Sequence, residues 1–323
     1  MTNIFHETDA DRAAIDEATV AVVGYGNQGR SWALNLRDSG LNVVVCVRAD
    51  ESRRRAQDDG FAPEELDASS DADIVCVLVP DDVIPTVPLR PRSDALVIVA
   101  SGYTLAFGRL DLSCDVGMVA PRMLGPEVRR CYEEGVGFIT AIGVHHDATG
   151  HALPSTLAVA RAIGGLRQGA IEMTPMQEAV LDLSVEQALA PALQRVSTSF
   201  VQVMLEHGIP LEAVLCELFL SGEVERSYRL VRLEGYGAQM EHHSPTSQYG
   251  QLSRRDEFGE MDPVPTMREI VDNIGNGSFA DEWDAERDAG HPTLERLKGE
   301  AISPDLLAWE RELRSQLGEG AVR

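Results

Sequence analysis

Val20-Ala-Val-Val-Gly24-Tyr-Gly26-Asn-Gln-Gly29 is the stretch on which the fold of this chain turns. An apolar run empties into Gly24-x-Gly26-x-x-Gly29, which reads as a buried parallel strand closed by a tight turn at Gly24. Gly26 leaves out the side chain that would hold a pyrophosphate away, and Gly29 allows close packing of the next helix. Tyr25, Asn27 and Gln28 complete this dinucleotide-binding turn, and the helix aims its first amides at the phosphates. Spacing alone is a weak signal, but its surroundings strengthen it. Trp32, Leu34 and Leu36, with Arg37 and Asp38, form an amphipathic segment, and a second strand-like run from Leu41 to Val47 follows at βαβ distance.

Outward from this unit, apolar runs and helical patterns alternate. Strands are predicted at Val20 to Val23 and Asn42 to Val47, and helices at about Gln28 to Ser39 and Glu51 to Asp59. Ile74 to Val79 is stopped by Pro80-Asp81-Asp82, Ala95 to Ala100 by Ser101-Gly102, and Gly117 to Ala120 by Pro121. The carboxyl ends of such strands line the ligand crevice of an open α/β sheet, so the residues after each strand are candidates for chemistry. A last strand pair near Gly137 to His145 and the small-residue segment Ala158 to Gly165 close the domain. From Met176 the periodicity turns helical, over Glu178 to His207, Leu211 to Leu233, Thr266 to Asn273, Phe279 to Asp288 and Pro304 to Leu317. The expected architecture is a Rossmann-type doubly wound parallel sheet over residues 1–174, followed by an all-α domain over 175–323.

The chain has 323 residues with 28 basic and 52 acidic side chains, a formal charge of −24 that argues against nucleic acid and anionic membrane as partners. Lys298 is the one lysine among those basic residues, a bias toward arginine that suggests a salt-adapted or arginine-codon-rich source. No apolar run is long enough to span a bilayer, and the amino terminus lacks the features of a signal peptide, so a cytoplasmic protein is expected. Cys46, Cys76, Cys114, Cys131 and Cys216 are scattered and form no C-x-x-C pair; they read as reduced and mostly buried.

Asp182 and Glu186 are spaced to share one face of a helix, with Glu178 a turn earlier on the same stripe. Converging carboxylates suit a hard cation such as Mg2+. Taken alone, the stripe reads first as a solvated acidic face. Glu217 sits in the apolar helical run Ala213 to Leu220, where an ionised carboxylate is costly unless paired, metal-bound or turned to solvent. His242-His243-Ser244 opens a polar, turn-forming cluster whose adjacent histidines read as surface residues rather than a paired metal site.

The string from Gly24 to Gly40 resembles the cofactor fingerprint of the ketol-acid reductoisomerases. Other segments agree in order: Met118-Val-Ala-Pro-Arg-x-x-Gly125, Val144-His-His-Asp-Ala-Thr-Gly150, Asp182-Leu-x-x-Glu-Gln187, Ser244-x-Thr-x-x-Tyr-Gly250 and Gly277-x-Phe-Ala-x-Glu-Trp283. The resemblance runs nearly the full length of the chain, in the manner of the short bacterial class. It implies an interlocked homodimer, or a higher oligomer, around a two-Mg2+ site. Asp182 would bridge the ions, Glu186 would serve one, Glu217 would arrive from a second copy, and Ser244 would hold the carboxylate of a small substrate. Pro80, Asp81 and Gly125 fall with the fingerprint residues on the cofactor side.

For the cofactor, the second strand ends at Val47-Arg48 without an acid placed for a ribose 2′-hydroxyl. Arg48, Ser52 and Arg53 suit a 2′-phosphate, which favours NADP(H), although Asp50 and Glu51 share that loop. Three positions depart from the family pattern. Ser101 replaces a histidine, Arg122 replaces a lysine, and Ser221, beside Gly222, stands where a further carboxylate from the second copy is expected, with Glu225 one turn on. Neither serine nor arginine relays a proton near neutral pH as the usual residues do. With Ser101, Arg122 and Glu217 as the catalytic candidates, the expectation is an NADPH-dependent reductase of a small 2-oxo or ketol acid, in secondary metabolism, with alkyl migration impaired or lost. The alternatives are an authentic ketol-acid reductoisomerase of branched-chain amino acid biosynthesis and a non-catalytic nucleotide-binding dimer.

Overall fold

Alternation of apolar side chains across a strand lets one run feed two cores, and the sheet is built on that. Its strands are β1 (Ile4–Phe5), β2 (Thr19–Val23), β3 (Asn42–Cys46), β4 (Ile74–Val77), β5 (Leu96–Val99), β6 (Asp115–Pro121), β7 (Thr140–His146) and β8 (Ala170–Glu172). The computed structural model describes residues 2–301 and 304–316. Val20, Val22, Ile74, Cys76, Leu96 and Ile98 face one layer, packed by Trp32 and Leu36, Val128, and Leu157 to Ala160. Ala21, Val23, Val75, Val77, Val97 and Val99 face the other, under Ile84, Leu105 and Cys114. The first layer consists of α1 (Asn27–Asp38), α4 (Gly125–Glu133) and α5 (Ala152–Ala162). The second is covered by short turns and the four-residue α3 (Tyr103–Ala106), while α2 (Glu51–Asp58) follows β3.

The strand order is β1-β8-β7-β6-β5-β4-β2-β3. From β3 to β6 all pairings are parallel, and the order reverses at β2, so a crevice opens at the carboxyl ends of β2 and β4. The Rossmann-type parallel core is extended into a mixed sheet, and the strand pair expected around Gly137 to His145 is a single strand. β7 is a single strand antiparallel to β6. The connection through α4 returns to the end it left, where the Arg122 N–H donates to Ile139 O at 2.9 Å, so the next strand must run the opposite way. β8 lies parallel to β7, and β1 closes the edge antiparallel.

Two compact units divide at Leu183/Ser184, so the first includes nearly all of α6 (Pro175–Ser184). The second contains α7 (Ala190–Glu206), α8 (Leu211–Leu215), α9 (Glu223–Glu234), α10 (Pro245–Arg254), α11 (Val264–Gly275), α12 (Ser278–Asp288), α13 (Pro292–Ala301) and α14 (Pro304–Gln316). Leu317, the expected end of the last helix, lies outside the described residues. The long helix expected from Glu178 to His207 contains a π turn at Val185–Leu189, and a second π turn spans Cys216–Leu220. The helix expected from Leu211 to Leu233 breaks at Gly222, whose φ of +78° is left-handed backbone that glycine adopts without a Cβ clash. No helix among the described residues is long and apolar enough to cross a membrane.

Candidate active site at the carboxyl edge of the sheet

The glycine turn has the geometry its spacing predicts. Gly24 has φ +96°, and a Cβ there would lie 2.7 Å from Leu78 O. A Cβ on Gly29 would lie 2.2 Å from Gly24 O, whereas one on Gly26 would meet nothing within 4 Å. Two adjoining cavities extend along the strand ends from this turn. One, of about 360 Å³, is bordered by Gly24, Tyr25, Gly26, Arg48, Asp50 and Ser52. The other, of about 310 Å³, is bordered by Gly26, Asn27, Gln28, Pro80, Asp81 and Ser101. Gly26, Leu78, Val79 and Pro80 belong to both.

Several residues expected at the cofactor also brace the turn through contacts of their own. The Tyr25 ring is 1% exposed, and its hydroxyl donates to Asp59 Oδ2 at 2.9 Å. Asp59 also pairs with Arg30 through contacts of 2.6 and 2.8 Å, so a buried phenol and an ion pair brace the turn. Gln28 Nε2 donates to Met123 O, and its Oε1 accepts from Trp32 Nε1. Arg53 borders neither cavity: its guanidinium donates to Pro63 O at 2.8 Å, Val47 O at 3.0 Å and the Glu65 carboxylate at 2.6 Å. Gly125 lets α4 meet the first turn of α1, since a Cβ there would lie 2.3 Å from the Asn27 carbonyl carbon. Arg48 remains exposed beside the cavity, 3.6 Å from Asp50, whose carboxylate caps α2 by accepting from Ser52 N at 2.9 Å.

Beyond the glycine turn, the exits of β4, β5 and β6 bring Asp81, Ser101 and Arg122 toward α6, within the first unit. Ser101 Oγ accepts from Tyr103 N at 3.1 Å and hydrogen-bonds the Asp81 carboxyl. Burial, then the nearby Glu178 charge, pushes Asp81 up to about 7 against the pull of the Ser101 hydroxyl. Glu178, 2% exposed, accepts from Gly102 N at 2.6 Å with one oxygen and from Arg122 Nη1 at 2.6 Å with the other. Burial raises its carboxyl above the usual range despite both contacts. Arg122 Nη2 reaches Asp182 Oδ1 at 2.8 Å. Gly102 has no room for a side chain, since its Cβ would lie 2.2 Å from Pro175 O. Removing Arg122 alone would leave Glu178 buried and unpaired, at a cost of about 3–5 kcal/mol.

The sequence placed Glu178 on an acidic stripe but not as the buried anchor of Arg122, because a stripe does not reveal which acid turns inward. Glu186 and Glu217 are exposed, each in the second position of a π turn, a local feature that often marks functional sites. Ser221 Oγ contacts Glu217 O at 3.4 Å and accepts from Glu223 N, and Glu225 pairs with Arg229 at 2.9 Å. Ser244 caps α10, accepting from Ser247 N at 3.2 Å. His242 pairs with Glu234 at 2.7 Å, and His243 contacts Gln239 at 3.2 Å. Among the described residues, no three His, Cys, Asp or Glu side chains converge into a metal-sized group.

Residues 14–169 match the family of acetohydroxy acid isomeroreductase NADPH-binding domains, and residues 176–319 match the ketol-acid reductoisomerase C-terminal domain. The chain is 36% identical to a ketol-acid reductoisomerase (NADP(+)) of Caldivirga maquilingensis, covering 99% of this chain and 100% of that protein. It is 35% identical to one of Methanothermobacter thermautotrophicus, over 91% and 92% of the two chains. A solved NADH-preferring ketol-acid reductoisomerase from an uncultured archean superposes with a TM-score of 0.90 at 28% identity, covering 98% of this chain and 99% of its own. With both domains matched in order along nearly its whole length, the chain belongs to the ketol-acid reductoisomerase family.

Proposed function

We propose that this protein is a cytoplasmic, NADPH-dependent reductase of a small 2-oxo or ketol carboxylate, assisted by Mg2+, in which alkyl migration is impaired or lost and which serves secondary metabolism. One observation carries the reading: the dinucleotide crevice is intact from Arg48 to Ser101, while the proton-handling and cation-binding positions beyond it hold Ser101, Arg122 and Ser221. In this proposal Gly26 and the first turn of α1 receive the pyrophosphate. Arg48 and Ser52 receive a 2′-phosphate, with Asp50 already engaged as a helix cap. Asp182, Glu186 and a Glu217 from a second copy hold Mg2+, and Ser244 holds the substrate carboxylate. Near Ser221, Glu225 is paired with Arg229 at 2.9 Å.

NADPH would supply a hydride to C2 of the substrate, and Mg2+ would polarise the carbonyl oxygen. The oxygen must then gain a proton to give the hydroxy acid and NADP+. Ser101 and Arg122 do not titrate near neutrality, whereas Asp81 in the same crevice holds a proton up to about 7 and hydrogen-bonds Ser101. Asp81 is therefore the proton source in this reading. The half-exposed apolar stripe Leu193, Val196, Phe200 and Val203 of α7 supports a homodimer or higher assembly.

NADPH oxidation, followed with Mg2+ on three compounds, tests the proposal: 2-acetolactate, its already rearranged 3-hydroxy-2-oxo isomer and a simple 2-oxo acid. Turnover of the latter two at rates at least about tenfold above 2-acetolactate is expected, a difference of about 1.4 kcal/mol in barrier. Equal or faster turnover of 2-acetolactate would favour the authentic reductoisomerase, a reading supported by the names and full-length coverage of the relatives. Tight NADPH binding without turnover would favour the non-catalytic dimer.

A further inference from the structure

Arg122 follows directly on β6 and forks between two acids one helical turn apart on α6, Glu178 and Asp182. The fork is held from both sides. Glu178 is buried and fixed in turn by Gly102 N, so the guanidinium cannot swing away without stranding a buried carboxylate. Unlike a lysine, it cannot release the contact by losing its proton. A carboxylate that bridges two divalent cations gives one oxygen to each. Asp182 Oδ1 is taken by Arg122 at 2.8 Å, and Oδ2 accepts no hydrogen bond among the described residues. A second dication at Oδ1 would have to displace the guanidinium or sit against its charge.

The geometry points to Arg122 as a fixed cation standing in for one of two divalent ions, so that Asp182 holds a single metal ion through Oδ2. This rests on the metal-assisted reading above for the presence of that one ion. Arg122 thereby acts on the site through Asp182, as a positioning residue that sets metal stoichiometry. The substitution of Ser221 for an acid fits the same economy, because one ion needs fewer carboxylates.

The test is a Mn2+ titration of the full-length, metal-stripped protein saturated with NADPH, with free Mn2+ read by electron paramagnetic resonance. Asp182→Asn measures, and allows subtraction of, binding elsewhere on this acidic chain. Wild type is expected to saturate at one Asp182-dependent Mn2+ per chain. Arg122→Gln, which frees Oδ1 and removes the competing charge, is expected to bind Mn2+ at least tenfold more tightly. Should its melting curve show that it does not fold, Arg122→Gln combined with Glu178→Gln removes the stranded carboxylate and carries the same expectation. Two Asp182-dependent ions in the wild type, none at all, or an unchanged affinity in the folded arginine variant would overturn the inference. NADPH oxidation in the same samples keeps the two readings apart. Turnover of a 2-oxo acid with two ions bound defeats only this inference, and one ion without turnover defeats only the reductase reading.

Discussion

At the scale of single residues, Gly26 and Gly29 stand three positions apart and are glycine for different reasons. At Gly29 the reason is internal: any Cβ collides with Gly24 O, so Gly29→Ala is expected to lose about 1–3 kcal/mol of stability by overpacking. At Gly26 the space is open, and φ is −79°, which alanine adopts freely. Gly26→Ala should therefore stay within about 1 kcal/mol of wild type in stability. Its methyl would stand where the pyrophosphate approaches, so NADPH affinity should fall at least about tenfold. Denaturant melts and NADPH fluorescence titrations measure the two effects, and an alanine at Gly26 that binds NADPH normally would remove the phosphate from that position. Asp81 carries the pH dependence. Its carboxyl loses a proton near 3.8 in the unfolded chain and near 7 in the fold, so between those values the folded state binds more protons. The Asp81 contribution to stability is therefore present below about pH 4 and is lost as pH rises toward 7. Asp81→Asn should stabilise the metal-free protein at pH 8 by about 1 kcal/mol or more relative to its effect at pH 4. A gap that does not change with pH would mean Asp81 titrates normally.

At the scale of elements, β2 to β6 were legible because each is a short apolar run with a stop, and Pro80, Ser101 and Pro121 fell at or beside the exits, whereas β1 and β8, of two and three residues, are too short to show a pattern. What the sequence hid is physical. α10 begins Ser244-Pro245, a pairing that reads as a turn until the cap at Ser247 N is seen, and α4 begins Gly125-Pro126. A π turn inserts one residue into a helix without any residue type that announces it, so the spacing of Asp182 and Glu186 could not reveal that Glu186 sits in one. The buried role of Glu178 depends on contacts with Gly102 and Arg122, far away in sequence. On α7 the sequence and structure meet differently. Leu193, Val196, Phe200 and Val203, with Leu189 just before, repeat at alternating three- and four-residue steps and are between 43% and 49% exposed. That spacing is the pattern of a helix seam able to pack on another helix. Phe200→Glu is expected to shift the protein from assembled to monomeric in sedimentation velocity while NADPH affinity, which depends on the glycine turn of the first unit, changes less than about twofold. An assembly untouched by this charge would place the interface on another face.

At the scale of the whole molecule, stability is divided unevenly. The first unit encloses the two cores of the sheet, whereas the second buries Val214, Leu230 and Ile274 but exposes Phe219, Tyr228, Leu233, Tyr236, Tyr249 and Phe258. If the proposed assembly covers this exposed apolar surface, the helical unit would draw on association for its stability, and melting would then depend on concentration. The charge of −24 acts on the same equilibrium, because copies carrying it repel one another until salt screens them. The two effects are separable in one experiment. Melting temperature should rise by several degrees as protein concentration rises about a hundredfold at fixed salt, and again between about 0.05 M and 1 M NaCl at fixed concentration. The concentration dependence should persist at high salt, since screening removes repulsion but not the apolar face. Phe200→Glu should lose the concentration dependence and, with it, the part of the salt dependence that comes from repulsion between copies. A melting temperature indifferent to concentration at every salt level would show that the second unit is stable without a second copy, and the proposal that Glu217 is contributed by that copy would fall with it.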